Sequence, residues 1–411
     1  MPQSAHNTPK DPLPIWQGAF RPFFLAASIF ITLGFIVWAL VLSNSLPGNL
    51  AQHHPYGGWL VWHSHEMIFG FVQAIAIGFL LTASRNWTGQ IGISNSMLKI
   101  IVLCWLSARI AWFIPAIPTL LLMLLDASAP LLSAFGLAQI LAMGEKHNGK
   151  GSQKHNWPFV ILLTAFALIQ IVFHLLLIFQ AEYITLLMQV AVLIMAAMTF
   201  WVSGRVLPFF TRARLQAPAR DLPKGLLEFS MTSSWLIIPF YLAAQYVDMT
   251  ALSIITAMIA LCAAVSQSYR LALFYRTGVT QEPMLWSLYL AFAWLIAGYT
   301  LIAIDLLMGI KDLSTGMQLP WLHAMTIGGL LSMIISMMAR ISLGHTGRKI
   351  RALPYMALCF TLLQIATLIR LIGPSVAPEI SYMLAIFCII SALAIFLFHY
   401  GKILWLPRAD G

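Results

Sequence analysis

A chain of 411 residues with 60% hydrophobic and only 9% charged residues, at a mean hydropathy of +0.85, is not a soluble globular domain, since such domains carry roughly 25% charge. The formal net charge of +10 would suit a nucleic-acid binder, but where the basic residues fall gives the charge a different meaning. Residues 1–21 contain Asp11 and four prolines and no apolar core of a signal peptide, so they are expected to form a cytoplasmic N-terminal segment without a cleaved leader. Twelve apolar stretches follow at about 22–42, 63–83, 97–114, 119–141, 157–179, 183–204, 228–247, 250–272, 285–308, 320–342, 353–373 and 379–400, each near the ~20 residues that cross a bilayer. Runs of this length exclude barrel strands. The predicted fold is an all-α, polytopic membrane bundle of twelve transmembrane helices over 22–405, with a short cytoplasmic tail at 406–411.

Starting from a cytoplasmic N-terminus, the even-numbered junctions collect Arg85, Lys146, Arg205, Arg212, Arg214, Arg276, Arg340, Arg348 and Arg408, while the opposite side has little beyond Lys311. Positive charge concentrates on the cytoplasmic side of membrane proteins, which predicts an N-in, C-in topology. Basic charge here means orientation, and nucleic acid is excluded as a partner. The connectors 143–156 and 205–226 read as solvated inner loops, with His147 and His155 as bystanders. Cys104, Cys262, Cys359 and Cys388 lie in four different spans without a CxxC pair, which argues against a disulfide framework and an iron–sulfur site.

The chemistry lies in the histidines. Span 2 opens on Trp62-His63-Ser64-His65-Glu66-Met67, and ionisable groups at membrane depth usually face a cavity, a cofactor or a transport path. His174 in span 5 and His323 in span 10 fall in the same outer slab as His63 and His65. His345 and His399 lie at the inner face, about 33 Å from that slab at 1.5 Å per residue, and cannot share an ion with it. His63 and His65 are two residues apart, about 200° around a helix, so they point to nearly opposite sides. One is expected to ligate a haem facing His323 or His174, and the other to face a second centre such as copper. Glu66 then serves as the hydrogen-bond acceptor behind a ligand or as a proton carrier. Plainer readings stand beside these: His174 and His323 as helix–helix hydrogen-bond partners, His345 as organiser of an inner turn, His399 as an interfacial residue, and the pair His53 and His54 as loop residues rather than copper ligands.

Arg109 in span 3 and Asp126 in span 4 occupy the outer half of neighbouring helices. They are read as a buried ion pair or, functionally, as a partner for a haem propionate and a proton-path residue. Asp305 in span 9 is a further proton-path candidate. A short echo also links His65-x-Met67-x-x-Gly70 with His323-x-Met325-x-x-Gly328, and spans 2, 6 and 10 each end on a small residue before Arg85, Arg205 or Arg340. This spacing would suit three four-helix units around a quasi-threefold axis, as in haem–copper oxidases.

Long motifs carry a family resemblance. Gly18-Ala19-Phe20-Arg21-Pro22-Phe23-Phe24, Trp62-His63-Ser64-His65-Glu66-Met67-Ile68-Phe69-Gly70-Phe71, Gly204-Arg205-Val206-Leu207-Pro208-Phe209-Phe210-Thr211, His323-Ala324-Met325-Thr326-Ile327-Gly328, Ala339-Arg340-Ile341-Ser342-Leu343-Gly344-His345-Thr346-Gly347-Arg348 and the tail Pro407-Arg408-Ala409-Asp410-Gly411 resemble the NnrS family. The resemblance implies a twelve-span protein of the bacterial inner membrane that carries b-type haem and copper. It also implies a link to nitric oxide, denitrification and nitrosative-stress tolerance. It brings no ligand list, so the ligands rest on the depth argument. The expected function is binding and detoxification of nitric oxide, with reduction to nitrous oxide using an external electron donor as its enzymatic form. The alternatives are a transporter or a metal- and haem-handling protein, and a haem-based nitric oxide sensor or scavenger.

Overall fold

The computed structural model of the protein describes residues 13–48, 55–218, 220–247, 249–309 and 319–410. His53, His54 and Lys311 lie outside the described residues. Among those described there is no strand. Twelve long helices account for the architecture: α1 Phe20–Leu42, α2 Trp59–Thr88, α3 Asn95–Ala111, α4 Thr119–Asn148, α5 Trp157–Phe179 and α6 Ile184–Leu215, then α7 Leu226–Tyr246, α8 Thr250–Phe274, α9 Pro283–Leu307, α10 Pro320–Gly344, α11 Met356–Ile372 and α12 Pro378–Trp405. All but α3 are long and apolar enough to cross a membrane, α11 when counted with the turn that continues it to Ser375; α3 has 17 residues and carries Lys99 and Arg109. Exposed leucines, isoleucines and phenylalanines cover the outside of the bundle, the distribution expected where lipid, not water, is the surrounding solvent.

Local sequence sets the helix ends. Ser94 caps α3 by accepting the Met97 amide at 3.2 Å, a standard way to satisfy a free N-terminal N–H. Prolines open α9, α10 and α12, where their missing N–H and fixed φ cost nothing. Two helices run well past the expected spans. Helix α4 continues to Asn148 and α6 to Leu215, so much of the connectors expected at 143–156 and 205–226 is helical. Gly144 stays in α4 because the Thr88 side chain lies 2.6 Å from where its Cβ would be. Pro208 is carried inside α6, which membrane helices tolerate where neighbours satisfy the freed carbonyl.

Helix α4 packs on α2, α3 and α5; α8 packs on α7 and α9; α9 packs on α10; and α12 packs on α11 and returns to α1. Arg21, at the start of α1, donates to the Leu404 carbonyl at 3.2 Å and the Leu406 carbonyl at 2.5 Å, which ties the two chain ends together. The tail then lies along the turn after α10. Ala409 N–H donates to Thr346 O at 2.9 Å, Arg408 donates to His345 O at 3.1 Å, and the Asp410 carboxylate fits against Gly347, whose φ is +71°.

Helices α2 and α10 share a local irregularity. Each runs as an α-helix through its histidine, His65 or His323, and then widens into a π-helical segment, Glu66–Val72 or Ala324–Leu331. The sequence echo at those two histidines is therefore also an echo of backbone conformation. A π-turn misaligns carbonyls from their usual donors, and both segments find replacements: Trp105 Nε1 donates to Gly70 O at 2.9 Å and Ser332 Oγ donates to Ile327 O at 3.1 Å. Gly70 and Gly328 are the residues that admit close neighbours, Phe30 and the Glu66 carboxylate at the first and Trp294 at the second.

Candidate cofactor and metal sites

His63 and His65 face away from each other into two separate environments. The His63 ring stacks on Trp38 of α1, with centroids 4.3 Å apart and planes at 11°, and meets Phe35 edge-on. It lines a cavity of about 190 Å³, counted as the space a water molecule's centre can reach, among α1, α2, α6, α10, α11 and α12. His323 lines the same cavity from α10, and Arg370 and Tyr382 line it from α11 and α12. The Arg370 guanidinium carbon lies 4.7 Å over the Tyr382 ring. His63, His323 and Arg370 keep part of their surface accessible although they sit among long apolar helices, because they face this space. The remaining walls are mostly apolar, with Met67, Phe71, Met188, Ile327 and Leu331 among them.

His65 points the other way, into a closed polar cluster between α2, α3, α4 and α5. Its Nδ1 lies 2.9 Å from Glu66 Oε1, and its Nε2 lies 3.7 Å from Asp126 Oδ2. Arg109 bridges the two carboxylates: its Nε is 3.1 Å from Glu66 Oε2, and its Nη2 donates to Asp126 Oδ1. Asp126 Oδ2 also faces His174 Nε2 at 2.8 Å and accepts from Trp112 Nε1 at 3.2 Å. His65, Glu66 and His174 are fully buried, and Arg109 and Asp126 are only 4% and 2% exposed. Phe69, Trp112 and Phe173 pack within 5 Å of the His65 ring centroid. Such walls keep the local dielectric low and strengthen every charge interaction inside. Tyr56 meets the Trp112 ring edge-on, and its hydroxyl donates into the turn after α3, where the Ile117 carbonyl is the nearest acceptor.

The residues singled out in the sequence therefore divide. His63 and His323 share the cavity; His65, Glu66, Arg109, Asp126 and His174 share the cluster. Arg109 is occupied by the two carboxylates and does not line the cavity, where the arginine is Arg370. Asp305 stands apart on α9 with its buried Oδ2 unpartnered. His345 and His399 are at the basic end, against Phe20 at 5.5 Å and Tyr355 at 6.3 Å respectively. Sequence reasoning overlooked Arg370 and Trp112. A cation near the end of an apolar span is the available signal for Arg370; the indole donor of Trp112 carries none.

A second cavity of about 140 Å³ continues toward the basic end and shares Val72 and Leu330 with the first. Its walls are apolar apart from Thr199 and Ser203, whose hydroxyls are turned to Met195 O at 2.7 Å and Met333 Sδ at 3.9 Å.

Fold and sites together define a polytopic α-helical membrane protein with one histidine-lined cavity and one buried histidine–carboxylate cluster. The family model for the NnrS protein matches residues 14–408, nearly the whole chain, and the chain belongs to the NnrS family. Membership supports a membrane protein linked to nitric oxide. No curated protein matches the chain.

Proposed function

We propose that this protein binds nitric oxide at a haem held in the cavity between α2 and α10, and removes it, in the inner membrane of a bacterium. The observation that carries the reading is that His63 and His323 face one cavity from two helices, with Arg370 on a third wall. The chemistry of the lining fits haem: imidazoles for the iron, a guanidinium for a propionate, and apolar walls for the macrocycle. His63 Nδ1 is buried without a partner; the ring is held by its stack on Trp38 and not by a hydrogen bond.

Bound haem supplies an iron that takes nitric oxide as a ligand. If haem is bound there, His63 or His323 would hold the iron and leave it a position for nitric oxide, Arg370 would pair a propionate, and the apolar walls of α1, α6 and α12 would keep water away. In its enzymatic form the reading includes reduction to nitrous oxide, with electrons and protons delivered from outside the chain.

The test is a set of reduced-minus-oxidised optical spectra of detergent-purified protein from haem-replete cells. Stoichiometric haem is expected in the wild type, and a lost or high-spin spectrum in both His63→Ala and His323→Ala. Wild-type protein without haem would overturn the reading and shift weight to transport. Stoichiometric haem that binds nitric oxide without turnover would leave a sensor or scavenger.

A further inference from the structure

The second cavity, between α2, α5, α6 and α10, has walls that select what can occupy its 140 Å³. The hydroxyls of Thr199 and Ser203 are turned to Met195 O at 2.7 Å and Met333 Sδ at 3.9 Å, so the side chains of the wall leave no polar group for a ligand. A buried water needs two to four polar partners, whereas an apolar cavity of about 150 Å³ stays dry and takes up xenon or benzene. Stiff side chains do not explain the space. Methionine is the side chain best able to fill an irregular gap, and Met195, Met198, Met333, Met337 and Met338 all border this one. An open space in a packed interior forfeits dispersion contacts; that it persists among such adaptable side chains points to an occupant.

Position narrows the class of occupant. Val72 of α2 and Leu330 of α10 border both cavities and form the neck between them. Both residues belong to the π-helical segments, Glu66–Val72 and Ala324–Leu331, so the two widened turns flank the neck from facing helices. Such turns recur at functional sites. The α6 wall is continuous past the neck: Met188 and Val192 border the first cavity, Met195 and Met198 the second. A molecule that uses both spaces must be small, uncharged and indifferent to hydrogen bonds, because apolar side chains surround it at the neck. A charged solute would lose its hydration there with nothing in exchange.

We propose that the second cavity binds small apolar gas molecules and passes nitric oxide, through the neck at Val72 and Leu330, to the cavity lined by His63 and His323. The destination rests on the haem reading; the gas site itself does not. Nitric oxide is an uncharged diatomic that dissolves in the apolar core of a bilayer, so it can enter this space from lipid without passing through water. The route is also a filter. Nitrite and nitrate carry a charge that the walls cannot pair, and water finds no chain of partners along it.

The experiment uses xenon as the probe, in pressurised crystals of the full-length protein. Xenon is expected among the methionines of the second cavity in wild type, and its loss in Ala76→Phe and Val202→Phe, whose new rings enter this cavity and not the first. Flash photolysis of the reduced nitrosyl protein in lipid nanodiscs reads the route. Rebinding of nitric oxide from the medium should slow at least tenfold in both variants, with the optical spectrum of the haem unchanged. Ordered water or a lipid acyl chain in place of xenon overturns the gas site, and rebinding at the wild-type rate in the filled variants overturns the route. If one variant does not fold, xenon in the wild type and the rate in the other variant decide. Wild-type protein without haem removes the destination along with the haem reading, while xenon still decides the gas site, so the two failures are told apart.

Discussion

The bridging position of Arg109 makes a quantitative prediction for metal-free protein. Replacing Arg109 by Gln leaves two buried carboxylates, 2.9 and 3.7 Å from the two nitrogens of His65, without a fixed cation. Breaking a buried pair in this way costs about 3–5 kcal/mol, because the orphaned charge stays in a low dielectric. Asp126→Asn is different. It removes one of two negative charges and keeps the Arg109–Glu66 pair at 3.1 Å, so its cost is that of the hydrogen bonds from Trp112, His174 and Arg109 that the amide accepts less well, about 1–3 kcal/mol. The double variant retains Glu66 as the one charge left of Glu66, Arg109 and Asp126 and is expected to be more stable than Arg109→Gln alone. Denaturation of chelator-treated protein in mixed micelles, followed by tryptophan fluorescence, measures all three. A double variant less stable than Arg109→Gln would refute the claim that excess negative charge dominates this cluster.

Four further outcomes are expected. Burial, then Arg408 and Arg85, hold the His345 pKa below the ordinary histidine value; the unfolded chain takes up a proton below about pH 6.5 that the folded one resists. Thermal stability should therefore be complete above that pH and fall below it, and His345→Gln should flatten the fall in a melting series between about pH 7.5 and 5. Gly70→Ala places a Cβ 2.6 Å from both Glu66 Oε2 and Phe30 Cε1; overpacking of this kind costs about 1–3 kcal/mol, read by denaturation. Trp105→Phe removes the donor to the Gly70 carbonyl in the π-turn and should cost about 1–2 kcal/mol in the same assay. Tyr56→Phe removes the hydroxyl that donates into the turn after α3 and should cost about 1 kcal/mol in the same assay.

The twelve helices were legible because a bilayer demands a length that few other structures need, and every helix but α3 meets it. The shared depth of His63, His65, His174 and His323 followed from the same arithmetic, and the opposite facing of His63 and His65 followed from helical rotation. The Arg109–Asp126 pair was legible too, from their shared depth on neighbouring spans, but the Glu66 contact to the same guanidinium was not. Other features left no mark. A π-turn differs from an α-turn by a backbone shift that no side chain announces. Whether Arg109 or Arg370 faces the cavity depends on how α11 and α12 fold back on α1, which pairs residues hundreds of positions apart. The overrun of α4 and α6 was hidden by Gly144 and Pro208, residues that end helices in water and here are held by packing.

Chain length itself is a functional variable in α2 and α10. Each π-turn holds one residue more than the α-turn that would replace it. Were Glu66–Val72 to close as ordinary helix with every residue kept, everything before it would swing by about 100°. His63 would leave its stack on Trp38 and His65 would leave Asp126, although no imidazole, carboxylate or aromatic ring had been altered. The aim of both histidines thus depends on each wide turn taking up its extra residue, and one residue inserted into the α-helical turns beside it should be far more damaging than most substitutions there.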